Sequence, residues 1–148
     1  MIEMKRVLFL TDFSDEAAEA LEYAREFSGK FNARLYVLHV IDDATHKRYG
    51  SVVGDYHAFD KNAREKTQQW LEQIHHEELH DSPDCTMLVE HGELFGHVMK
   101  VINEQHIDVI VLSAHTQHAG FHLHLISNFS EKLVRKAPCH VFVIHNAQ

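Results

Sequence analysis

The sequence is poor in cysteine and proline and has no long apolar run. Its two cysteines, Cys85 and Cys139, are too few for a disulfide framework, which favours a reducing cytoplasm. The two prolines, Pro83 and Pro138, and the lack of a Gly/Ser-rich stretch indicate no linker. The first apolar run, residues 7–10, is too short for a signal peptide or a membrane span. We therefore expect a cytoplasmic protein that does not enter a membrane.

Positive charge is also scarce. The chain has 14 Lys and Arg against 22 Asp and Glu, which gives a net charge of −8. A nucleic-acid binder usually presents a basic face to phosphates, so this balance argues against a nucleic-acid partner. Histidine, by contrast, is abundant: protonation of all 15 would move the net charge from −8 to +7. Because an unperturbed histidine titrates near pH ~6.5, a histidine-based pH sensor is one alternative function.

Apolar runs typical of buried strands alternate with segments of helical periodicity along the 148 residues. The runs predict five strands, at 7–10, 35–41, 85–89, 109–112 and 141–144. The periodic segments predict four helices, which begin near residues 14, 59, 94 and 129. This alternation predicts a single-domain α/β fold over residues 1–148, a five-stranded parallel sheet with helices on both faces.

The predicted helices have recognisable ends and faces. Ser14 can cap the first helix, and Gly29 and Asn32 help to end it. Its apolar face extends to Phe31, and the apolar face of the last helix includes Val134. Ligands of such folds bind beyond the carboxyl ends of the strands, where the strand order reverses.

Four segments resemble those of universal stress proteins. They are VLFLTDFSDEAAEALEYA at 7–24, LYVLHVID at 35–42, HGELFGHVMKVINEQHIDVIVLSAH at 91–115 and SEKLVRKAPCHVFVI at 130–144. The resemblance covers nearly the whole chain in the expected order; only residues 44–84 are weakly diagnostic. It implies a Rossmann-like sheet of order 3-2-1-4-5, of the adenine nucleotide alpha hydrolase-like type. It also implies a homodimer formed largely through the last strand, by Val141, Phe142, Val143 and Ile144.

Members of the family that bind ATP use the motif Gly-x2-Gly-x9-Gly followed by Ser or Thr. Aligned from the fourth strand, this motif places Ser113, Thr116 and Ile126 at the glycine positions. Aligned backwards from the helix, it places Ser127 and Asn128 at the Gly-Ser positions. Neither register keeps the three glycines, which let the backbone approach phosphate. The resemblance therefore implies a protein without tight ATP binding, although ATP or AMP in a modified loop remains an alternative.

Other positions of the family's nucleotide site persist. Asp12 matches the acidic residue near the ribose and base, Val40 matches the position that meets adenine, and Gly92 matches the turn beneath the base. If a nucleotide binds, the resemblance assigns its site to nine residues: Thr11, Asp12, Val40, Gly92, Ser113, His115, Ser127, Asn128 and Ser130. Asp12 and Gly92 also have ordinary structural explanations, Asp12 as a turn or helix-start residue and Gly92 as a turn glycine.

Metal binding and catalysis have less support. His115, His118, His122 and His124 are close in sequence, but no cysteine or carboxylate lies within this cluster, and we predict no metal site. No nucleophile with a spaced base and acid is recognisable, so we predict no enzyme activity. A weak ATPase and a histidine-based metal sensor remain alternatives. The favoured hypothesis is a stress-response protein that acts by dimerisation and by binding an unknown protein partner.

Overall fold

The computed structural model describes residues 1–11, 15–42, 65, 69, 85–114 and 123–145. Five strands lie in these ranges: β1 Arg6–Leu10, β2 Arg34–Asp42, β3 Cys85–Gly92, β4 Val109–Ser113 and β5 His140–Ile144. They also contain three helices: α1 Asp15–Phe31, α2 Leu94–Glu104 and α3 Leu123–Lys136. Glu65 and Gln69 are helical, as the periodicity from residue 59 predicts. The rest of that predicted helix, and Ser14, lie outside the described residues.

The five strands form one parallel sheet of order β3-β2-β1-β4-β5, which confirms the predicted topology. The chain moves outward from β1 to β3 on one side and from β4 to β5 on the other. The strand order therefore reverses between β1 and β4, and a crevice for a ligand is expected at the carboxyl ends of these two strands.

Each face of the sheet is covered by helices. Side chains alternate across a strand, so Val7 and Phe9 of β1 pack with α1 on one face, while Leu8 packs with α2 and α3 on the other. All three are at most 1% exposed. The buried residues that the helices contribute are Ala17, Ala20, Leu21 and Ala24 from α1, Val98, Val101 and Ile102 from α2, and Phe129 and Leu133 from α3.

Two residues that the sequence assigns to apolar helix faces are exposed in the structure. Phe31 is 38% exposed and Val134 is 61% exposed. Phe31 is the last residue of α1, and Val134 lies about 100° around the helix from buried Leu133, too far to face the same layer. These two assignments were wrong, because helical spacing alone does not say where a buried face stops.

Helices α1 and α2 end in the same way, with a non-glycine residue in the left-handed conformation. Asn32 has φ 51° and His106 has φ 53°. After each, the next amide reaches back five residues: Ala33 N–H donates to Ser28 O at 2.8 Å, and Ile107 N–H donates to Ile102 O at 3.0 Å. This is the Schellman arrangement, which turns the chain sharply into the next strand. The role predicted for Asn32 is confirmed.

Gly29 is not the residue that ends α1. It lies within the helix, and its carbonyl accepts a hydrogen bond from Asn32 N–H at 3.3 Å. A glycine three positions before the left-handed residue provides an acceptor and no special backbone conformation. The sequence analysis expected both Gly29 and Asn32 to help end α1. The expectation is wrong for Gly29, because Asn32 is the residue with the left-handed conformation.

The Asp108 carboxylate ties the N-terminal segment to the start of β4. Its Oδ2 atom accepts hydrogen bonds from Lys5 N–H at 2.8 Å and Arg6 N–H at 2.9 Å. The Asp108 backbone adds two more links, because its N–H donates to Arg6 O and its carbonyl accepts from His140 N–H. One residue therefore connects the amino ends of β1, β4 and β5.

Replacing Asp108 with alanine removes the acceptor of both amides. Because the Arg6 N–H is partly buried, we expect the free energy of unfolding to fall by about 1–3 kcal/mol, measured by urea denaturation at pH 7. Glu131→Ala is the control, since its 2.7 Å ion pair with Arg135 lies at the surface and contributes about 0.5 kcal/mol or less. Equal losses in the two variants would contradict the role of Asp108.

None of the helices within the described ranges is long and apolar enough to cross a membrane.

Candidate functional site

The candidate site lies at the rim where the parallel strands end. Thr11 follows β1, is 6% exposed, and donates its N–H to Leu38 O at 3.0 Å. Its own carbonyl lies 2.9 Å from His39 Nδ1. A carbonyl only accepts, so this geometry requires the proton on Nδ1. The rim of β1 and β2 is therefore held by hydrogen bonds of both the backbone and an imidazole.

Ser113 lies on the other side of the crevice. It is the last residue of β4 and is 5% exposed. Because Phe9 pairs with Val111, the register continued by two residues places Thr11 opposite Ser113. Val40, on β2, is 7% exposed and pairs with Glu90. Three of the predicted residues thus lie at the strand ends around the point where the strand order reverses.

Gly92 ends β3 in a conformation that few other residues adopt. Its φ is 141°, and a β-carbon at this position would lie 2.5 Å from His97 Nε2. The imidazole of His97 therefore occupies the space beside Gly92, and its Nδ1 atom lies 3.8 Å from Glu90 Oε2. Gly92 lies at the rim as predicted, but here its structural neighbour is a side chain of α2.

Glu93 caps the start of α2 with its own carboxylate. Its Oε1 atom accepts from Phe95 N–H at 3.1 Å, and its Oε2 atom accepts from Gly96 N–H at 2.5 Å. Free amides at a helix start are the groups that bind anions. Because Glu93 already provides the negative charge, a phosphate at this helix start would compete with a covalently attached carboxylate.

Helix α3 begins earlier than the motif alignment predicts. Its first residue is Leu123, so Ser127 and Asn128 lie inside the helix and not at its start. In an α-helix that begins there, the Ser127 amide bonds to the Leu123 carbonyl and is not available to an anion. The expectation that Ser127 and Asn128 start this helix is therefore wrong. The physical reason is that residues 123–128 contain neither glycine nor proline, so nothing interrupts the helix.

Contacts between α2 and α3 show how far α3 extends before the level at which α2 begins. The Phe95 ring, in the first turn of α2, lies 6.3 Å from the Phe129 ring, and Lys132 Nζ lies 4.0 Å from the centre of the Phe95 ring. The start of α2 is therefore level with residue 129 of α3. The six residues before it rise about 9 Å beyond that level. Ser130, next to this contact, has a buried Oγ with no hydrogen-bond partner.

Several residues that the sequence analysis considered for a site lie outside the part of the chain that the structure describes. Asp12 and His115 lie outside the described residues, as do His118 and His122, and the side chains of Ser127 and Asn128 are also undescribed. Within the described ranges, no group of three or more His, Cys, Asp or Glu residues is placed to hold a metal ion. The prediction that the loop histidines form no metal site stays untested.

The two thiols are poor nucleophiles. Burial raises the pKa of Cys85 from 9.0 to about 11, against the opposing effect of Arg34. Burial likewise raises the pKa of Cys139 to about 11, although a backbone hydrogen bond from Ile110 lowers it. Both groups are protonated at neutral pH, and a thiolate is the form that attacks.

The fold is a doubly wound α/β fold with one topological switch point, the place where ligands of such folds usually bind. A model of the universal stress protein family matches residues 3–145. The chain therefore belongs to the universal stress protein family. None of the curated proteins compared with the chain resembles it closely enough in sequence to count as a match.

Solved structures with the same fold are distant in sequence. The hypothetical protein MJ0577 is 19% identical with a TM-score of 0.79, and 99% of each chain is covered. Universal stress protein UspA from Lactobacillus plantarum is 22% identical with a TM-score of 0.64, covering 97% of this chain and 99% of that one. A universal stress protein in complex with cAMP is 15% identical with a TM-score of 0.62, covering 99% and 100%. At these identities the likeness shows the fold.

Three rim residues escaped the sequence analysis: His39, Glu93 and His97. Glu93 had a usable signal, because a carboxylate directly before an apolar-periodic segment can cap a helix. His39 and His97 had none, since their contacts join residues that are 28 and 5 positions apart.

Replacing Gly92 with alanine forces a side chain into the left-handed region and against His97. We expect the free energy of unfolding to fall by about 1–3 kcal/mol from the backbone strain alone. The steric contact adds to this loss, and removing His97 in Gly92→Ala/His97→Ala should recover only that added part. Thermal unfolding of both variants and of His97→Ala alone checks this. Wild-type stability in Gly92→Ala would contradict the interpretation.

Proposed function

We propose that this universal stress protein is a cytoplasmic homodimer that acts in the stress response by binding a protein partner. It works without catalysis and without tight ATP binding. The observation that carries the proposal is the open edge of strand β5. The partner is expected to bind the rim formed by the loop after β4 and the adjoining helices.

The main-chain groups of β5 alternate between β4 and the open edge. His140 N–H donates to Asp108 O at 3.0 Å, and Ile144 O accepts from Ala114 N–H at 2.8 Å. These two residues therefore direct their groups to β4. Since direction alternates along a strand, Val141 and Val143 direct theirs away from the sheet. None of the described strands pairs with this edge, which thus presents donors and acceptors to which another strand can add.

The side chains of β5 favour a protein strand over water. The strand is His140–Ile144, HVFVI, without lysine, aspartate, glutamate, arginine or proline. Proteins that keep an edge unpaired usually place charges or proline there. Phe142 is 41% exposed, which is unusual for a large aromatic residue with nothing to cover it. An uncharged, partly exposed edge is what a homodimer through β5 requires.

Replacing Val143 with proline removes an N–H that the fold does not use. Proline is tolerated where an edge N–H faces outward, so the monomer should fold, but a second strand should no longer pair. We expect the wild type to sediment as twice the 17.2-kDa chain and Val143→Pro to sediment as a single chain. Val143→Thr keeps the N–H and is the matched control. A monomeric wild type would overturn the homodimer.

Weak triphosphate binding follows from the two helix starts at the rim. Glu93 occupies two amides at the start of α2, and α3 starts at Leu123, so Ser127 and Asn128 lie inside that helix. A bound triphosphate needs free backbone amides near its negative charges. Without them, binding at submillimolar concentration is not expected.

A nucleotide titration tests this expectation. A ligand that binds only the native state stabilises it and so raises the unfolding temperature. At 100 times its Kd, the gain in the free energy of unfolding is about 2.7 kcal/mol. We expect no shift with 0.5 mM ATP (roughly this concentration separates tight from weak binding) and no nucleotide mass in the purified protein. A rise of several degrees would contradict the proposal.

Binding of a mononucleotide is the second candidate function. A relative with the same fold was solved in complex with cAMP. Thr11, Val40 and Ser113 still line the strand ends in this chain, and a single phosphate needs fewer amides than three. Stabilisation by AMP or cAMP without stabilisation by ATP would support this candidate.

A further inference from the structure

We propose that Arg6 and Arg34 form a binding site for an acidic segment of a partner protein, at the end of the sheet opposite the rim. The two arginines lie directly opposite each other on β1 and β2, where those strands begin. Neither the open edge of β5 nor the strand ends at the rim contributes to this site. The inference therefore goes beyond the function proposed above and can fail independently of it.

The two arginines share one face of the sheet. Residues paired across neighbouring strands have their side chains on the same face, and such strands are about 4.8 Å apart. Leu8 and Tyr36, two positions further along β1 and β2, pack on the face that α2 and α3 cover. Because the direction of side chains repeats every second residue, Arg6 and Arg34 lie on that face as well. Like charges placed directly opposite each other destabilise a sheet, so this pairing has a cost to the fold.

Arg34 is held in position but keeps donors for a ligand. Its Nε and Nη2 atoms donate to Thr86 Oγ1 on β3 at 3.2 and 2.9 Å. The guanidinium carbon also lies 5.5 Å from the centre of the Tyr36 ring, within the range of a cation–π contact. Of the five N–H donors of a guanidinium, those two are used and the others remain. A cation that is already oriented loses less conformational freedom when it binds a ligand.

Arg6 carries a charge that no described residue neutralises. It is half-buried, and its backbone N–H and carbonyl both bond to Asp108. Its guanidinium makes no hydrogen bond or ion pair with any residue that the structure describes. The Asp108 carboxylate instead accepts the backbone amides of Lys5 and Arg6. A partly desolvated charge without a counter-ion is costly, and a carboxylate from another molecule would supply that counter-ion.

The surroundings of the pair are basic. Helices α1 and α3 lead into the starts of β2 and β5, so their last turns lie at this end of the sheet. Those last turns contain Lys30 and Lys136, which are both exposed. Carboxylates offset this charge only in part, because Glu3 lies 3.4 Å from Lys5 Nζ and Glu104 adds one exposed negative charge at the end of α2.

An acidic protein segment fits this surface better than a free anion or a nucleic acid. A carboxylate can accept two N–H groups of one guanidinium in a bidentate pair. Several carboxylates along one segment can reach the arginine pair and the helix ends together, which a single phosphate ion cannot. A single strand of nucleic acid needs exposed rings on which its bases stack, and Tyr36 is only 5% exposed beneath Arg34.

Binding of an acidic peptide tests the site. The probe is a fluorescein-labelled peptide of about eight residues in which Glu and Ser alternate, and a peptide with Gln in place of Glu is its neutral control. Anisotropy is measured with the full chain at about pH 7.5, where an unperturbed histidine is neutral, and about 50 mM NaCl, to limit screening. We expect the Glu peptide to bind and the Gln peptide not to bind. No binding of the Glu peptide, or equal binding of both, would overturn the proposal.

Three charge variants locate the binding. Arg6→Gln and Arg34→Gln each remove one cation of the pair, and we expect each to weaken binding of the Glu peptide about threefold or more. Lys100→Gln is the matched control, because it removes the same charge from an exposed position on α2 and should change the affinity less than about twofold. Equal losses in the three variants would show an effect of net charge alone and overturn the site.

The stability of Arg6→Gln separates a binding role from a structural one. Because the substitution removes a contact between like charges, we expect its thermal midpoint to equal or exceed that of the wild type. A structural role would instead lower the midpoint and leave binding of the Glu peptide unchanged, and that result would overturn the assignment of Arg6.

Two measurements on the wild type need no substitution. In amide NMR spectra, the Glu peptide should shift the resonances of Arg6 and Arg34 and leave those of Thr11 and Ser113 at the rim unchanged. Shifts confined to the rim would overturn the site. We also expect the peptide to stay bound in millimolar inorganic phosphate at constant ionic strength. Displacement by phosphate, or tighter binding of a thymidine oligonucleotide of the same length, would overturn the assignment to a protein segment.

Discussion

The burial of strand β1 between two helical layers is the constraint on which the other features depend. Val7, Leu8 and Phe9 are inaccessible from either face, so a helix must cross each side of the sheet. This requirement places α1 opposite α2 and α3 and brings all the strand ends to one rim. The Asp108 carboxylate secures the same strand from the other end, through the amides that lead into it. The candidate site is a consequence of this layering.

At the rim, the absence of the family's phosphate-binding glycines has two structural effects. A chain without glycine at the three motif positions after β4 loses the conformations with which a backbone surrounds phosphate. The same lack lets α3 continue back to Leu123, so the amides of Ser127 and Asn128 lie inside the helix and are not available to an anion. The Glu93 carboxylate adds a fixed negative charge at the start of α2. Together these features support the proposal that the protein acts through interaction between chains and not through tight binding of a triphosphate.

Much of the fold was predictable because its signals are local. The continuous apolar run of β4 and the helical spacing of Val98, Val101 and Ile102 indicate their elements from a few neighbouring residues. The order of the strands came from the resemblance, and the structure confirms it. Helix ends were less predictable: Asn32 ends α1, but Gly29 does not, because the left-handed residue is selected by the hydrogen bonds around it.

The features of the candidate site were likewise predictable only where their signals are local. By itself the amino-acid sequence determined the alternation of strands and helices, the family, the loss of the phosphate glycines and the uncharged composition of β5, because these depend only on residue types and their spacing. Tertiary structure alone decided that His97 packs against Gly92, that His39 holds Thr11, and that Val134 is exposed beside the last strand. These are contacts between elements, and their geometry exists only after the sheet has brought distant residues together.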